Sequence, residues 1–303
     1  MSCVLVTGSE GLIGKQLCLA LEKAGRKVQR FDIKISKKHK DHGNILDVNC
    51  LQTRMKNCIG IVHLAAVSRV VWGEKDPKQC WQTNVIGTQN ILHAAQESLL
   101  KPWIVYASSR EIYGQQQELP VEIDATYSPV NIYARSKVAA EKAVLQARLS
   151  QLRTAVVRYS SVYGSIYDHE DRVVPAFCRA AVTGNPLRVE GVDNTLDFTH
   201  VSDAVNGTLA IIKKLEGGKD ELPPLHLTTG IPTTLGTLAQ LVGGAAGRKL
   251  DFIEAPNRLY DVARFWGKTT KTTTILDWRA EIPLAVGVSN LVQQFKLHLK
   301  GIE

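Results

Sequence analysis

The chain has 303 residues, 44% hydrophobic and 22% charged, with six cysteines and a formal net charge of +8. That is ordinary globular composition, long enough for one large region or two packed ones, and it excludes a fibrous, disordered or disulfide-stapled protein. The cysteines form no C-x-x-C pair and no apolar run approaches the ~20 residues of a bilayer span, so free thiols, no metal, no membrane and a cytoplasmic location are expected. The N-terminus lacks the basic region of a signal peptide. Positive charge is densest at Lys34, Lys37, Lys38, His39 and Lys40, without interleaved aromatics; it reads as a solvated loop, and no nucleic-acid partner is expected.

Strand and helix signals alternate through the first half. Residues 4–6 form a short apolar run ended by Thr7-Gly8, and residues 12–21 carry apolar side chains at helical spacing. A strand is predicted at 28–33, and the near-continuous apolar stretch 59–66 suits a strand buried on both faces. Pro77 opens a helix to about residue 98, residues 103–107 form a buried strand, and a helix at 131–151 precedes a strand at Thr154–Tyr159. This repeated order predicts an α/β fold, a doubly wound parallel sheet with right-handed crossovers. After Tyr163 the rhythm breaks. Residues 168–171 are a charged loop, 173–182 and 200–215 read as helices, and the tail holds shorter elements.

Gly8-x-x-Gly11-x-x-Gly14 follows a strand and opens a helix. In that context the first glycine permits a tight turn, the second lets backbone approach a pyrophosphate, and the third lets helix pack on strand. Asp32 stands eighteen residues later at the end of the second strand. A carboxylate there accepts from an adenosine ribose diol and repels a 2′-phosphate, which points to NAD; Lys34 and its neighbours keep NADP as the alternative, and a strand-end cap is the bland reading.

Tyr133 and Lys137 lie four apart in a predicted helix and therefore share a face. A nearby ammonium favours the phenolate, so Lys137 is expected to lower the Tyr133 phenol from its usual value near 10. A phenol so tuned takes a proton from a hydroxyl as hydride leaves the same carbon. Ser108 and Ser109 end the strand before it, at the edge where ligands bind in such sheets. The alternative, a Tyr and Lys merely covering a helix, weakens when the glycine loop and strand-end serines accompany them.

These residues resemble the extended short-chain dehydrogenase/reductase family, specifically its nucleotide-sugar epimerases and dehydratases. The resemblance runs through Gly8 to Gly14, Asp32, Asp47, His63-Leu64-Ala65-Ala66, Asn84-Val85-Ile86-Gly87-Thr88, Ser108 to Gly114, Tyr133-x-x-x-Lys137, Arg158 to Gly164, Asp197 to Ala204, and Leu276-Asp277-Trp278-Arg279. It implies a Rossmann-type region over 1–162, with 193–230 returning to it, and a smaller substrate-binding region over 163–192 and 231–303. It implies that Gly8, Gly11, Leu12, Ile13, Gly14, Asp32, Asp47, Val48, Leu64, Ala65, Ala66, Asn84, Tyr133 and Lys137 bind NAD, with Asp47 near adenine. Ser109, Glu111, Tyr133 and Lys137 are its implied catalytic residues, and Ser108, Arg110, Ser161 and Arg258, the last alone or with Arg264, its implied substrate contacts. A homodimer through the Tyr133 helix and the helix from Pro77 is implied as well.

Three positions depart from the family pattern. Leu196 replaces a phosphate-binding arginine, Ser161 an asparagine, and Arg110 the aspartate of hexose 4,6-dehydratases. The expected activity is oxidation at sugar C4, followed by C5 proton abstraction by Glu111 and re-reduction, as in a dehydratase. A 4-epimerase and a uronic acid decarboxylase are the alternatives, with a non-catalytic dinucleotide-binding regulator outside the enzyme class. Glu111 has its own bland reading, a solvent-facing carboxylate or one paired with Arg110.

Overall fold

A computed structural model describes residues 2–301 except Asp220, Asn257 and Leu259. In chain order the first half comprises β1 (Cys3–Thr7), α1 (Leu12–Lys23), β2 (Val28–Phe31), α2 (Val48–Met55), β3 (Cys58–His63), α3 (Val70–Lys75), α4 (Pro77–Trp81), α5 (Gly87–Glu97), β4 (Trp103–Ser109), α6 (Ile132–Gln146) and β5 (Thr154–Tyr159). The second half comprises β6 (Ser161–Tyr163), α7 (Val173–Thr183), β7 (Leu187–Glu190), β8 (Thr195–Leu196), β9 (Phe198–His200), α8 (Val201–Glu216), β10 (Leu225–Leu227), β11 (Thr233–Thr234), α9 (Leu235–Ala246), β12 (Phe252–Ala255), α10 (Thr270–Leu276) and α11 (Leu284–Leu299).

Six strands form one parallel sheet in the order β10-β5-β4-β3-β1-β2. The doubly wound α/β fold is therefore present. β1, β4 and β5 are apolar and almost wholly buried, as strands covered on both faces must be; β2, at the edge, carries Gln29 and Arg30 and is half-buried. The chain leaves β1 in one direction to β2 and in the other to β3, so a crevice opens where these strands end.

The helix from Pro77 is interrupted by a π-helical turn at Gln82–Ile86. That turn brings Asn84 and Val85 into the interior and leaves Trp81 42% exposed. Helix α6 is shorter than predicted, because residues 147–150 tighten into a 3-10 turn and Gln151 takes a left-handed conformation.

One apolar cluster fills each face of the sheet. A third joins Val174 and Phe177 of α7, Leu238 and Val242 of α9, and Leu291 and Phe295 of α11 beside the sheet. The tail also returns to the sheet: Val262 and Phe265 pack with Ile112, Tyr113 and Val121, and Leu276 and Trp278 join the first cluster. Asp197, wholly buried, ties these parts together by accepting from the backbone N–H groups of Thr229, Gly230 and Gly267.

Candidate active site

β1, β3 and β4 end on a cleft of about 520 Å³ lined by Gly8, Leu64 and Ser109. Gly8 has φ +72°, and a Cβ there would lie 2.6 Å from the Ala65 backbone nitrogen. A Cβ on Gly14 would lie 2.1 Å from the Gly8 carbonyl oxygen, so both positions exclude any side chain. At Gly11 a Cβ would meet only the Gly8 oxygen, at 3.2 Å. Gly11 is also the N-cap of α1, no side chain caps that end, and Leu12, Ile13 and Gly14 line the cleft. This is an open cradle for a phosphate group at a helix N-terminus. Beside it, the Ser9 hydroxyl is buried without a hydrogen-bond partner.

Asp32, mostly buried, accepts from the backbone N–H of Glu10 (2.9 Å) and of Lys34 (2.8 Å). Its carboxylate is thus held beside the glycine loop with acceptor capacity left, since an ionised carboxyl has about four acceptor sites. Lys34, Lys37, Lys38 and Lys40 are exposed, as a solvated loop requires.

Asn131 starts α6 by accepting from the Ala134 N–H at 2.7 Å. The helix then presents Tyr133 and Lys137 to the cleft, both buried. Ser109 and Tyr133 both line the cleft. Lys137 Nζ donates to the Ala107 carbonyl at 2.8 Å and lies 5.9 Å from the centre of the Tyr133 ring. Burial pushes the Tyr133 phenol up to about 12, opposed by Ser109, with smaller contributions from Glu111 (upward) and Arg172 (downward). Burial also pushes Lys137 down to about 8. The expected lowering of the phenol by Lys137 is therefore absent here: desolvation of the phenolate dominates, and the ammonium is directed to a backbone carbonyl.

The packing gives several of the expected residues partners within the fold. Glu111 is buried, its carboxylate in an ion pair with Arg110 at 3.0 Å and accepting from Asn131 Nδ2 at 3.2 Å; both Glu111 and Arg110 line the cleft. The Ser108 hydroxyl donates to Glu141 (2.6 Å), and both Ser108 and Ser109 line the cleft. Asn84 does not line the cleft; its amide is buried and bonds Val67 and Ser136, bracing the π turn against α6. Asp47 is exposed and caps α2 through the Cys50 N–H, with Val48 beginning that helix. Ala65 packs its backbone beneath Gly8, while Leu64 and Ala66 line the cleft. Ser161, Leu196 and Arg258 line it as well, whereas Arg264 is exposed beside Trp266.

Arg258 pairs with Glu190, which also meets Arg188 at 3.5 Å. Sequence reasoning missed Arg188 and Glu190, which give no motif signal. It also missed Arg172, Asp171 and Arg69, all lining the cleft. Arg69 and Asp171 form an ion pair, and Trp72 meets His169 edge-on at 4.6 Å, so the loop before α7 is fastened to the loop after β3. The charge density of residues 168–172 was the only available signal. No cluster able to hold a metal ion occurs among the described residues.

The profile of the NAD dependent epimerase/dehydratase family matches residues 4–222. The chain belongs to that family. Relatives of this epimerase/dehydratase include a UDP-glucose 4-epimerase of Yersinia pestis, 26% identical over 313 residues, with 91% of this chain and 92% of the relative covered. A UDP-N-acetyl-alpha-D-glucosaminuronate decarboxylase of Bacillus cytotoxicus is 32% identical over 234 residues, covering 71% and 72%. The solved structure of a UDP-glucose 4-epimerase from Brucella ovis in complex with NAD superimposes with a TM-score of 0.88 at 24% identity, covering 98% of this chain and 99% of that one.

Proposed function

We propose that the protein binds NAD and epimerises a UDP-linked sugar at C4. The NAD fit rests on the open Gly11 backbone, the helix N-terminus behind it, the orphaned Ser9 hydroxyl and the tethered Asp32 carboxylate. NAD held there would supply reversible hydride acceptance at C4, and its positive charge would favour the Tyr133 phenolate. Tyr133 takes the C4 hydroxyl proton and later returns it, with Ser109 holding the same oxygen. Lys137 contributes positive charge and ribose contact. Arg188 and Arg258 offer guanidinium groups to the nucleotide diphosphate, in place of the arginine missing at Leu196.

The observation that supports this reading is the state of Glu111. Arg110 engages one of its oxygens and Asn131 the other, so a C5 base would have to work from the acceptor sites that remain. That favours 4-epimerisation over the dehydratase course. Convergence of Ser109, Tyr133 and Lys137 in one cleft argues against a non-catalytic regulator. A second reading, decarboxylation of a uronic acid, is favoured by Arg172, which lines the cleft and whose buried Nε makes no hydrogen bond and pairs with Asp168 at 3.4 Å. The proposed assembly is a homodimer through α6 and the α4–α5 segment, which would cover Trp81, and the proposed substrate region is 163–192 with 231–303.

Turnover of UDP-sugars in deuterated water tests the reading. Epimerisation gives product of unchanged mass with no deuterium on carbon, and Glu111→Gln stays active. Deuterium at C5 or loss of water restores the dehydratase course, and release of carbon dioxide from a UDP-uronate establishes the decarboxylase.

A further inference from the structure

Glu141 stands one helical turn beyond Lys137 and is wholly buried. The spacing puts Tyr133, Lys137 and Glu141 in one row along α6. Neither Glu141 nor its partner Arg158 lines the cleft, and the proposed reaction uses neither. Yet the Glu141 carboxylate is fully engaged. One oxygen accepts from Ser108 Oγ at 2.6 Å and Arg158 Nε at 3.3 Å; the other accepts from the Tyr127 hydroxyl at 2.7 Å and Arg158 Nη2. Arg158, on β5 and 1% exposed, also donates to the Tyr113 hydroxyl and the Ile123 carbonyl. Tyr113 in turn meets His226 Nε2 of β10 at 2.6 Å. An ionised carboxylate in the interior is costly unless paired, and a satisfied network of this size fixes one arrangement of the elements it joins.

We infer that Glu141, held by Arg158, is a positioning residue: it pins the strand end carrying Ser109 to the helix carrying Tyr133 and Lys137, and its charge acts on the Lys137 ammonium one helical turn away. This rests on Ser109, Tyr133 and Lys137 being the reacting set. The first half follows from Ser108, whose neighbour is Ser109 and whose hydroxyl reaches Glu141 across the gap between β4 and α6. The second half follows from what surrounds Lys137. Its Nζ lies 5.1 Å from the centre of the Tyr106 ring of β4 and 5.9 Å from that of Tyr133. Cys80 of α4 and His63 of β3 also act on it or feel its charge. Burial, with help from Lys137, holds His63 at about 3 and therefore neutral; burial raises the Cys80 thiol and both phenols, which stay protonated. Among these groups Glu141 is the ionised acid, and Arg158 shares its charge. Burial lowers Lys137 to about 8, and Cys80 and Glu141 act in the opposite direction.

Protein labelled with carbon-13 at lysine Cε reports the charge of each amine as pH rises, and Lys137→Arg identifies the Lys137 resonance. The wild-type midpoint is expected near about 8. In Glu141→Gln it falls by about one pH unit or more, as expected for a charge lost one helical turn away in the interior. A purely structural role gives the opposite sign, because loosened packing admits water and raises the midpoint toward the ordinary lysine value. Glu141→Asp keeps the charge but retracts it, so the fall is smaller; this variant carries the test if the first does not fold. A midpoint that stays or rises in the variant tested overturns the inference. The measurement needs no substrate. A fallen midpoint without turnover of any UDP-sugar retires the proposed activity and leaves the role of Glu141 standing; turnover with an unmoved midpoint does the reverse.

Discussion

Tyr133 and Lys137 share one face of α6, and the same burial moves them in opposite directions, the phenol up to about 12 and the ammonium down to about 8. Desolvation always disfavours the charged form, which is the anion of one and the cation of the other. The phenol therefore depends on positive charge supplied in the cleft, from Arg172 and from a bound nicotinium, to give up its proton near neutrality. Tyr133→Phe keeps the ring and its packing but removes the acid–base group. Turnover is expected to fall by about 10²- to 10⁴-fold while the melting transition stays near that of the wild type. Activity within a few-fold of wild type in the folded variant assigns the proton transfer elsewhere. Glu111 shows the limit of reading one residue from its neighbours. A carboxylate two residues past Ser109 suggests a base, but only the tertiary structure shows Asn131 and Arg110 holding it.

At the scale of elements, the glycine loop shows three glycines with separable duties. Gly8 and Gly14 are required by the fold, since a Cβ at either meets backbone within 2.6 Å or 2.1 Å. Gly11 has more room, since a Cβ there meets only the Gly8 carbonyl oxygen at 3.2 Å, a contact that a shift of a few tenths of an ångström relieves, and it stands at the N-terminus of α1 where the ligand would approach. Gly14→Ala is therefore expected to cost more than ~2 kcal/mol of stability, read from chemical denaturation. Gly11→Ala is expected to melt near the wild-type temperature and to bind NAD weakly, read by titration. Equal effects in both assays for both variants remove the distinction. The π turn at Gln82–Ile86 carries the second lesson at this scale. Helical spacing from Pro77 onward predicts one continuous helix, and no local signal marks the extra residue. Its cause is tertiary: Asn84 must reach Val67 and Ser136, so its amide is consumed as a brace.

Across the whole molecule, buried histidines tie stability to pH. His63 bridges Thr7 of β1 and Thr88 of α5, and His226 joins Tyr113 to β10. Burial lowers them to about 3 and about 4, so both are neutral in the fold. An unfolded histidine titrates near 6.5, so below that value the unfolded chain takes up protons that the fold refuses. The stability they contribute is present above pH ~6.5 and is lost as pH falls toward the folded values. Buried Asp168 and Asp197 have raised values and act with the opposite sign, so the histidine contribution is isolated by comparison. The stability gap between wild type and His226→Gln is expected to narrow by about 1 kcal/mol between pH ~7 and ~5.5, measured by urea unfolding at each pH. A gap independent of pH shows that His226 titrates alike in both states.

The sequence by itself determined the parallel α/β sheet, the dinucleotide loop, the acidic residue beside it and the pairing of Tyr133 with Lys137, because each depends on neighbours within a few residues. Apolar strand runs, glycines at a strand–helix turn and a four-residue helical spacing are local patterns, and the family membership follows from their order. Only the tertiary structure decided which charges are free. In sequence Glu111 reads as a base, Ser108 as a substrate contact and Asn84 as a cofactor contact; in the structure each has a partner 20, 33 or 52 residues away. Arg172 and Arg188 carried no motif and came to the cleft by the packing of the second region on the sheet, while Arg69 reaches it from the loop after β3. The cause is that a polar group's partner is set by burial, and burial is a property of the assembled chain.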